Sequence, residues 1–215
     1  MKRVCRIVLW LLLPLVLSAC GAAESRWAPD LEVARAAYVD DGPPTLTLYT
    51  VMKKTGGVGA HSGLMVNGSQ RIMFDPAGTF KHPHLPERND VIFGMSDRAV
   101  EFYIDYHARE TYDVIEQIIP VSREVALLAQ QKVMSYGAVP KGFCNKSITA
   151  ILRTLPGFED VPTGWFPRKT MEYFASRPGV TTRRIVDDSP DDNTGMIAAP
   201  NLLRAQQLRN PLLLS

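Results

Sequence analysis

The sequence predicts an α+β domain in which a small antiparallel sheet packs against a cysteine-bearing helix, and three observations lead there. Apolar and polar residues alternate with the period of a strand in Thr45 to Met52, on both arms of a hairpin between His61 and Asp75, and from Tyr112 to Pro120. Apolar residues then recur at helical spacing after Ser122 and again after Cys144. Cys144 itself stands at the predicted start of the second of these helices, in Gly-Phe-Cys-Asn-Lys-Ser-Ile.

The first residues are of a different kind. Lys2, Arg3 and Arg6 form a basic start, residues 7–17 are almost wholly apolar, and Leu17-Ser18-Ala19-Cys20 ends the run with small residues before a cysteine. The run is too short for a comfortable membrane span and reads as a secretory signal over residues 1–19. Cleavage there removes three basic side chains and leaves 21 against 22 acidic ones, a net charge of about −1 in place of +2. No basic patch for nucleic acid remains. The mature chain is long enough for one domain with a substantial core, and no second span follows.

Residues 20–44 mix alanine, charges and Gly-Pro-Pro and read as a tether, with a short helix near Leu31 to Tyr38. The domain is expected over residues 45–186. Thr45 to Met52 is its first strand, and the glycine-rich turn at Gly56 to Gly59 leads into the next. Leu64 and Val66 on one arm of the hairpin must share a face with Ile72 and Phe74 on the other. A two-residue turn at Asn67-Gly68 pairs Leu64 with Arg71 and mixes the faces. A three-residue loop, Asn67-Gly68-Ser69 with Gly68 at positive φ, pairs Leu64 with Ile72 and Ser62 with Phe74. That register places His61 opposite Asp75, which Pro76 holds extended, with Cβ atoms about 5 Å apart. Gly63 leaves room on the same face for a helix end.

Asp90 to Met95 reads as a short strand, Ser96 to Tyr106 as an amphipathic helix and Tyr112 to Pro120 as a strand. Ser122 caps a helix running to Tyr136, with Val125, Leu128, Ala129 and Val133 as its apolar stripe and Gly137 as its stop. The helix from Cys144 to Leu155 buries Ile148, Ile151, Leu152 and Leu155, and its cysteine lies one turn before Ile148 on that face. A short helix from Pro167 to Ser176 and a strand from Val180 to Val186 complete the domain. Residues 187–215 open on Asp-Asp-Ser-Pro-Asp-Asp and read as a tail, with an amphipathic pattern from Leu202 to Leu214.

Cys144 is the only cysteine outside the leader and Cys20, so it has no intramolecular disulfide partner. A free thiol in an oxidising compartment is prone to oxidation, which favours a chemical purpose. Amide N–H groups and the positive end of a helix dipole favour the thiolate, the form that attacks an acyl carbon. His61 is the candidate base and Asp75 the carboxylate that orients it; a surface hydrogen-bonded pair near a strand end is the alternative for those two. Lys81-His82-Pro83-His84 offers too few ligands for a metal and reads as a solvated loop. His107, at a polar helix end, reads as a surface residue, and Trp165-Phe166 as a loop plugged into the core, with the lining of an acyl or peptide groove as the alternative.

The Leu-Ser-Ala-Cys ending resembles a bacterial lipobox, which implies a lipid on Cys20 and passage to the periplasmic face of an outer membrane. The order of a histidine strand, a hairpin to a second polar residue, a helix and then a cysteine-led helix resembles the circularly permuted NlpC/P60 branch of papain-like cysteine hydrolases and acyltransferases. The resemblance spans about residues 45–155. It implies a papain-like permuted fold, with Cys144 as nucleophile, His61 as base, Asp75 as orienter and the Cys144 N–H as oxyanion donor in preference to Tyr136. No cofactor or metal is implied. The expected partners are the membrane, through the lipid, and peptidoglycan or an acyl-lipid substrate; a non-catalytic envelope module binding peptidoglycan, lipid or protein is the competing class.

Overall fold

The computed structural model describes residues 23–192, so the expected signal segment, the expected lipid site Cys20 and the Leu202 to Leu214 pattern lie outside the described residues. Strands β1 (Thr45–Lys53), β2 (Gly59–Asn67), β3 (Arg71–Phe74), β4 (Glu87–Arg88), β5 (Val91–Phe93), β6 (Tyr112–Pro120) and β7 (Thr181–Ile185) form one antiparallel sheet. Its order is β4-β5-β3-β2-β1-β6-β7. The described helices are α1 (Asp30–Ala36), α2 (Asp97–His107), α3 (Arg123–Ser135), α4 (Cys144–Leu152) and α5 (Pro167–Ala175). The architecture is mixed α+β.

Period-two alternation sends side chains to two separate cores. Leu46, Leu48, Leu64, Val66, Ile72 and Phe74 meet Val133, Ile148, Ile151, Leu152 and Phe174 from α3, α4 and α5. On the other face Tyr49, Met65, Met73 and Val114 meet Ala99 and Tyr103 from α2. Burial on both faces explains why β3 is apolar at three of its four positions. Ser122 caps α3 by accepting the Val125 N–H, and Gly137 at φ 91° ends the helical segment that follows. Ser122→Ala is expected to lower stability by about 1 kcal/mol, read from the denaturant midpoint at unchanged slope.

The hairpin register differs from the expected one by two residues. Leu64 pairs with Phe74, Val66 with Ile72 and Asn67 with Arg71, so the loop is Gly68-Ser69-Gln70. A two-residue slip keeps every side chain on its face, and the apolar pattern cannot distinguish the two registers. Polar contacts select between them. Asn67 and Arg71, opposite one another, both hydrogen-bond the Asp40 carboxylate, and Gln130 of α3 accepts the Ser69 N–H at 2.8 Å. Gly68 does not take positive φ. Its missing side chain admits Gln130 instead, whose Oε1 lies 2.3 Å from where a Cβ would stand.

Two segments read as solvated are attached to the domain. Trp27 bridges to Arg88, the Arg71 N–H is accepted by the Tyr38 carbonyl at 2.8 Å, and the Arg71 guanidinium lies 4.8 Å from the Tyr38 ring centroid. With the Arg88 guanidinium 4.6 Å from the Trp27 ring centroid as well, the stretch expected as a tether is attached to β3 and the edge strand β4 by two aromatic–arginine contacts that its composition conceals. At the other end the Ser189 carbonyl accepts the Glu110 N–H at 2.8 Å, and Lys54 donates to the Asp187 carbonyl at 2.9 Å.

Candidate active site

Cys144 is the first residue of α4, whose apolar stripe packs on β2, and this brings the sulfur to the strand that carries His61. The N-cap residue Phe143 makes no side-chain cap bond, so the first-turn N–H groups of α4 face the site without a competing cap. His61 follows a β-bulge: Val51 pairs with His61 and Met52 with Gly59, leaving Ala60 as the extra residue. Bulges re-aim the neighbouring side chain, and this one turns His61 at the end of the regular pairing with β1.

His61 Nε2 is 2.7 Å from Asp75 Oδ1, and the Cys144 thiol lies near enough to the ring for the two groups to shift each other's ionisation. Occupation of Nε2 by the carboxylate leaves Nδ1 for the sulfur. Asp75 lies just past the end of β3, opposite Gly63 rather than opposite His61 as expected, because of the register. The His61–Asp75 contact is made across this offset. Asp75 is anchored by its own N–H donating to the Asp90 carbonyl at 2.8 Å.

Tyr103 of α2 completes the arrangement. Its hydroxyl donates to Asp75 Oδ1 at 2.8 Å from a fully buried position. It reaches the carboxylate through the gap at Gly63, where a Cβ would stand 2.2 Å from the Tyr103 oxygen. Gly63→Ala is therefore expected to push Tyr103 off Asp75 and to lower stability by about 1–3 kcal/mol, measured by chemical denaturation.

His107, expected at the surface, packs into the site instead. Its ring stacks on His61 with centroids 5.6 Å apart and planes 10° from parallel. Its Nδ1–H donates to the Tyr103 carbonyl at 2.8 Å. Ala99, Tyr103 and His107 are four residues apart and share one helix face, a spacing that carries the signal for both missed residues.

The electrostatics follow from these neighbours. Burial opposes the charged form of His61, but the charge and hydrogen bond of Asp75, with a contribution from Cys144, raise its pKa to about 10. Burial pushes the Asp75 carboxyl up, yet the charge and hydrogen bond of His61, then His107 and Tyr103, bring it below the ordinary value. Burial likewise pushes the Cys144 thiol up; its hydrogen bond and charge interaction with His61, and the N–H groups of Ser62 and Asn145, outweigh this and lower it. His107 is depressed to about 4 by burial, reinforced by the charge of His61, and stays neutral where its neighbour is charged. The arrangement can hold a thiolate against an imidazolium.

Close to Cys144, Trp165 and Phe166 are exposed at 49% and 69% and do not plug the core. The buried Asn145 side chain uses its amide to hold the Gly164 and Phe166 carbonyls at 2.9 and 3.3 Å, turning these two aromatic residues outward. Trp165 packs edge-on to Phe143, with centroids 4.4 Å apart, and Lys146 Nζ sits 4.6 Å from the Trp165 ring centroid. His82 and His84 face each other with ring centroids 5.7 Å apart, away from this cluster. No helix among the described residues is long and apolar enough to cross a membrane. Compared with protein-family models, with curated proteins and with solved structures, the chain matches none.

Proposed function

We propose that this protein is a cell-envelope cysteine hydrolase or acyltransferase of papain-like, permuted NlpC/P60 type, held at the periplasmic face of an outer membrane by a lipid on Cys20. The observation that carries the reading is His61 hydrogen-bonded to a buried carboxylate and electrostatically coupled to the helix-leading Cys144. Three side chains from β2, the end of β3 and the start of α4 meet in the relation of nucleophile, base and orienter.

The Cys144 thiolate attacks the carbonyl carbon of an amide or ester, forming a C–S bond while the carbonyl electrons move to oxygen. The Cys144 N–H at the uncapped start of α4 donates to that oxyanion. Collapse expels the amine or alcohol, which takes the proton held by His61, and leaves a thioester on Cys144. His61 then deprotonates a water, or an acceptor amine or alcohol, which attacks the thioester and regenerates the thiol. Asp75, held by Tyr103, keeps the ring oriented and stabilises its cationic form. A peptidoglycan stem-peptide amide is the first substrate, on envelope location; acyl groups of lipid or lipoprotein are the second. The exposed Trp165 and Phe166 suit either a substrate shelf or a non-catalytic binding surface.

The test is digestion of purified peptidoglycan and of acyl-lipid donors, with intact-mass detection of an adduct on Cys144. New amino termini or acyl transfer that disappear in Cys144→Ser at unchanged folding support the reading. Binding of the same material by wild type and Cys144→Ser alike, with no product and no adduct, favours the binding module.

A further inference from the structure

The geometry points to a divalent transition-metal site formed by His61, Asp75 and His107, whose occupation takes the nucleophile's base away. The binding site stands on geometry alone, and its effect on Cys144 rests on the hydrolase reading above. One nitrogen from each histidine and a carboxylate oxygen of Asp75 lie within 4.8 Å of one another. Two neutral imidazoles and a carboxylate are the donor set that suits zinc, and three protein ligands with water in the fourth position is a common coordination.

The tautomer of His107 is set for this. By donating Nδ1–H to the Tyr103 carbonyl, it keeps the Nε2 lone pair for a ligand. The Tyr103 hydroxyl meanwhile fixes Asp75. One residue thus orients two of the three ligands, the outer-shell support that metal-binding histidines and carboxylates require. Nothing in the proposed hydrolysis calls for His107.

Zinc bonds of about 2.0–2.2 Å in a tetrahedron put ligand atoms about 3.3 Å apart. The 2.7 Å contact between His61 and Asp75 must therefore open, and the widest separation of 4.8 Å must close, movements within reach of side-chain rotation. The metal displaces the proton on His61 Nε2, which leaves to solvent, and takes the carboxylate for itself. With Nε2 on the metal and the remaining proton on Nδ1, the ring has no free lone pair, so it can neither accept a proton from water nor be recharged to protonate a leaving group. The ligating group is His61, Asp75 and His107, so Cys144 is not needed as a ligand.

That last point makes the test clean. Full chain carrying Cys144→Ser, in detergent, is titrated with Co²⁺ and then with Zn²⁺ in competition, with tetrahedral d–d absorption and calorimetry as readouts. One metal per chain is expected. Tyr103→Phe, which keeps the carbonyl and loses the hydroxyl, should weaken binding by roughly 10–100-fold, and His107→Phe, which keeps a stacked ring, should weaken it further. Asp75→Asn provides a second ligand loss of nearly unchanged shape if His107→Phe folds poorly. Absence of d–d bands in Cys144→Ser, or binding that persists in His107→Phe and Asp75→Asn but falls in His82→Gln, overturns the site. Zinc should also stop turnover by the wild-type protein, which needs His61 to move a proton; unchanged turnover at saturating metal overturns the switch. Metal binding without any hydrolase activity leaves the site standing and removes only the hydrolase reading.

Discussion

Alkylation of Cys144 by iodoacetamide is expected to show a midpoint below that of an ordinary thiol, and His61→Ala is expected to raise it. The reason is the balance at the sulfur. Burial raises the thiol pKa, and the His61 hydrogen bond and charge are the largest opposing influences. Removing the ring leaves desolvation opposed only by the Ser62 and Asn145 N–H groups. An ordinary thiol of pKa about 8.5 is only about 1% thiolate at pH 6.5, so the alkylation rate there should fall in the variant. The midpoint is the better reporter, because a thiolate of lower pKa is also intrinsically less nucleophilic. A midpoint that does not move in His61→Ala sinks the pair.

The same groups set the pH dependence of folding. His61 has its pKa raised from 6.5 to about 10, so its contribution to stability is complete below about pH 6.5 and is lost as pH rises toward 10. Asp75 and Cys144 are lowered, so their contributions are present at pH values above their ordinary pKa and fade as pH falls through the native ones. Asp75→Asn should bring the His61 pKa down toward its ordinary value, read from the pH dependence of its ring resonances.

Replacing Arg71 with methionine is expected to lower stability by about 3 kcal/mol, the larger of the structural effects. The guanidinium is almost fully buried and donates to the Met95 carbonyl, to Asp40 and to Asp97. Asp97 is mostly exposed and contributes little. The cost arises from the Met95 carbonyl losing its donor and from Asp40, only 22% exposed, losing a partner. Arg71 also holds Asn67 in register through the shared Asp40, so the His61–Asp75 contact depends on it from a distance. Chemical denaturation gives the stability, and the Cys144 alkylation midpoint of the same variant reports the site. A loss below about 1 kcal/mol would place Arg71 among ordinary surface ion pairs.

Much of the chain was legible before any coordinates. Tyr112 to Pro120 is a strand over the expected residues, Ser122 caps the helix it was expected to cap, and Ile148, Ile151, Leu152 and Leu155 are all buried. These are local matters: periodicity and cap chemistry act within a few residues, and the sequence states them directly. The lone cysteine at a helix start and the histidine two residues before Gly63 were equally visible. The Ala60 bulge, β4, Tyr103 and His107 were not, because each is defined by a neighbour far away in the chain. A strand pattern of period two determines which face a residue occupies and leaves its partner open. The register that sets Asp75 opposite Gly63 is chosen by Asp40, Arg71 and Gln130, and the opening at Gly63 is meaningful only because α2 delivers a hydroxyl there. The sequence by itself determined the residues with the chemistry and the faces they occupy; the tertiary structure decided their partners and hence their charges, since desolvation and hydrogen bonding depend on distance in space.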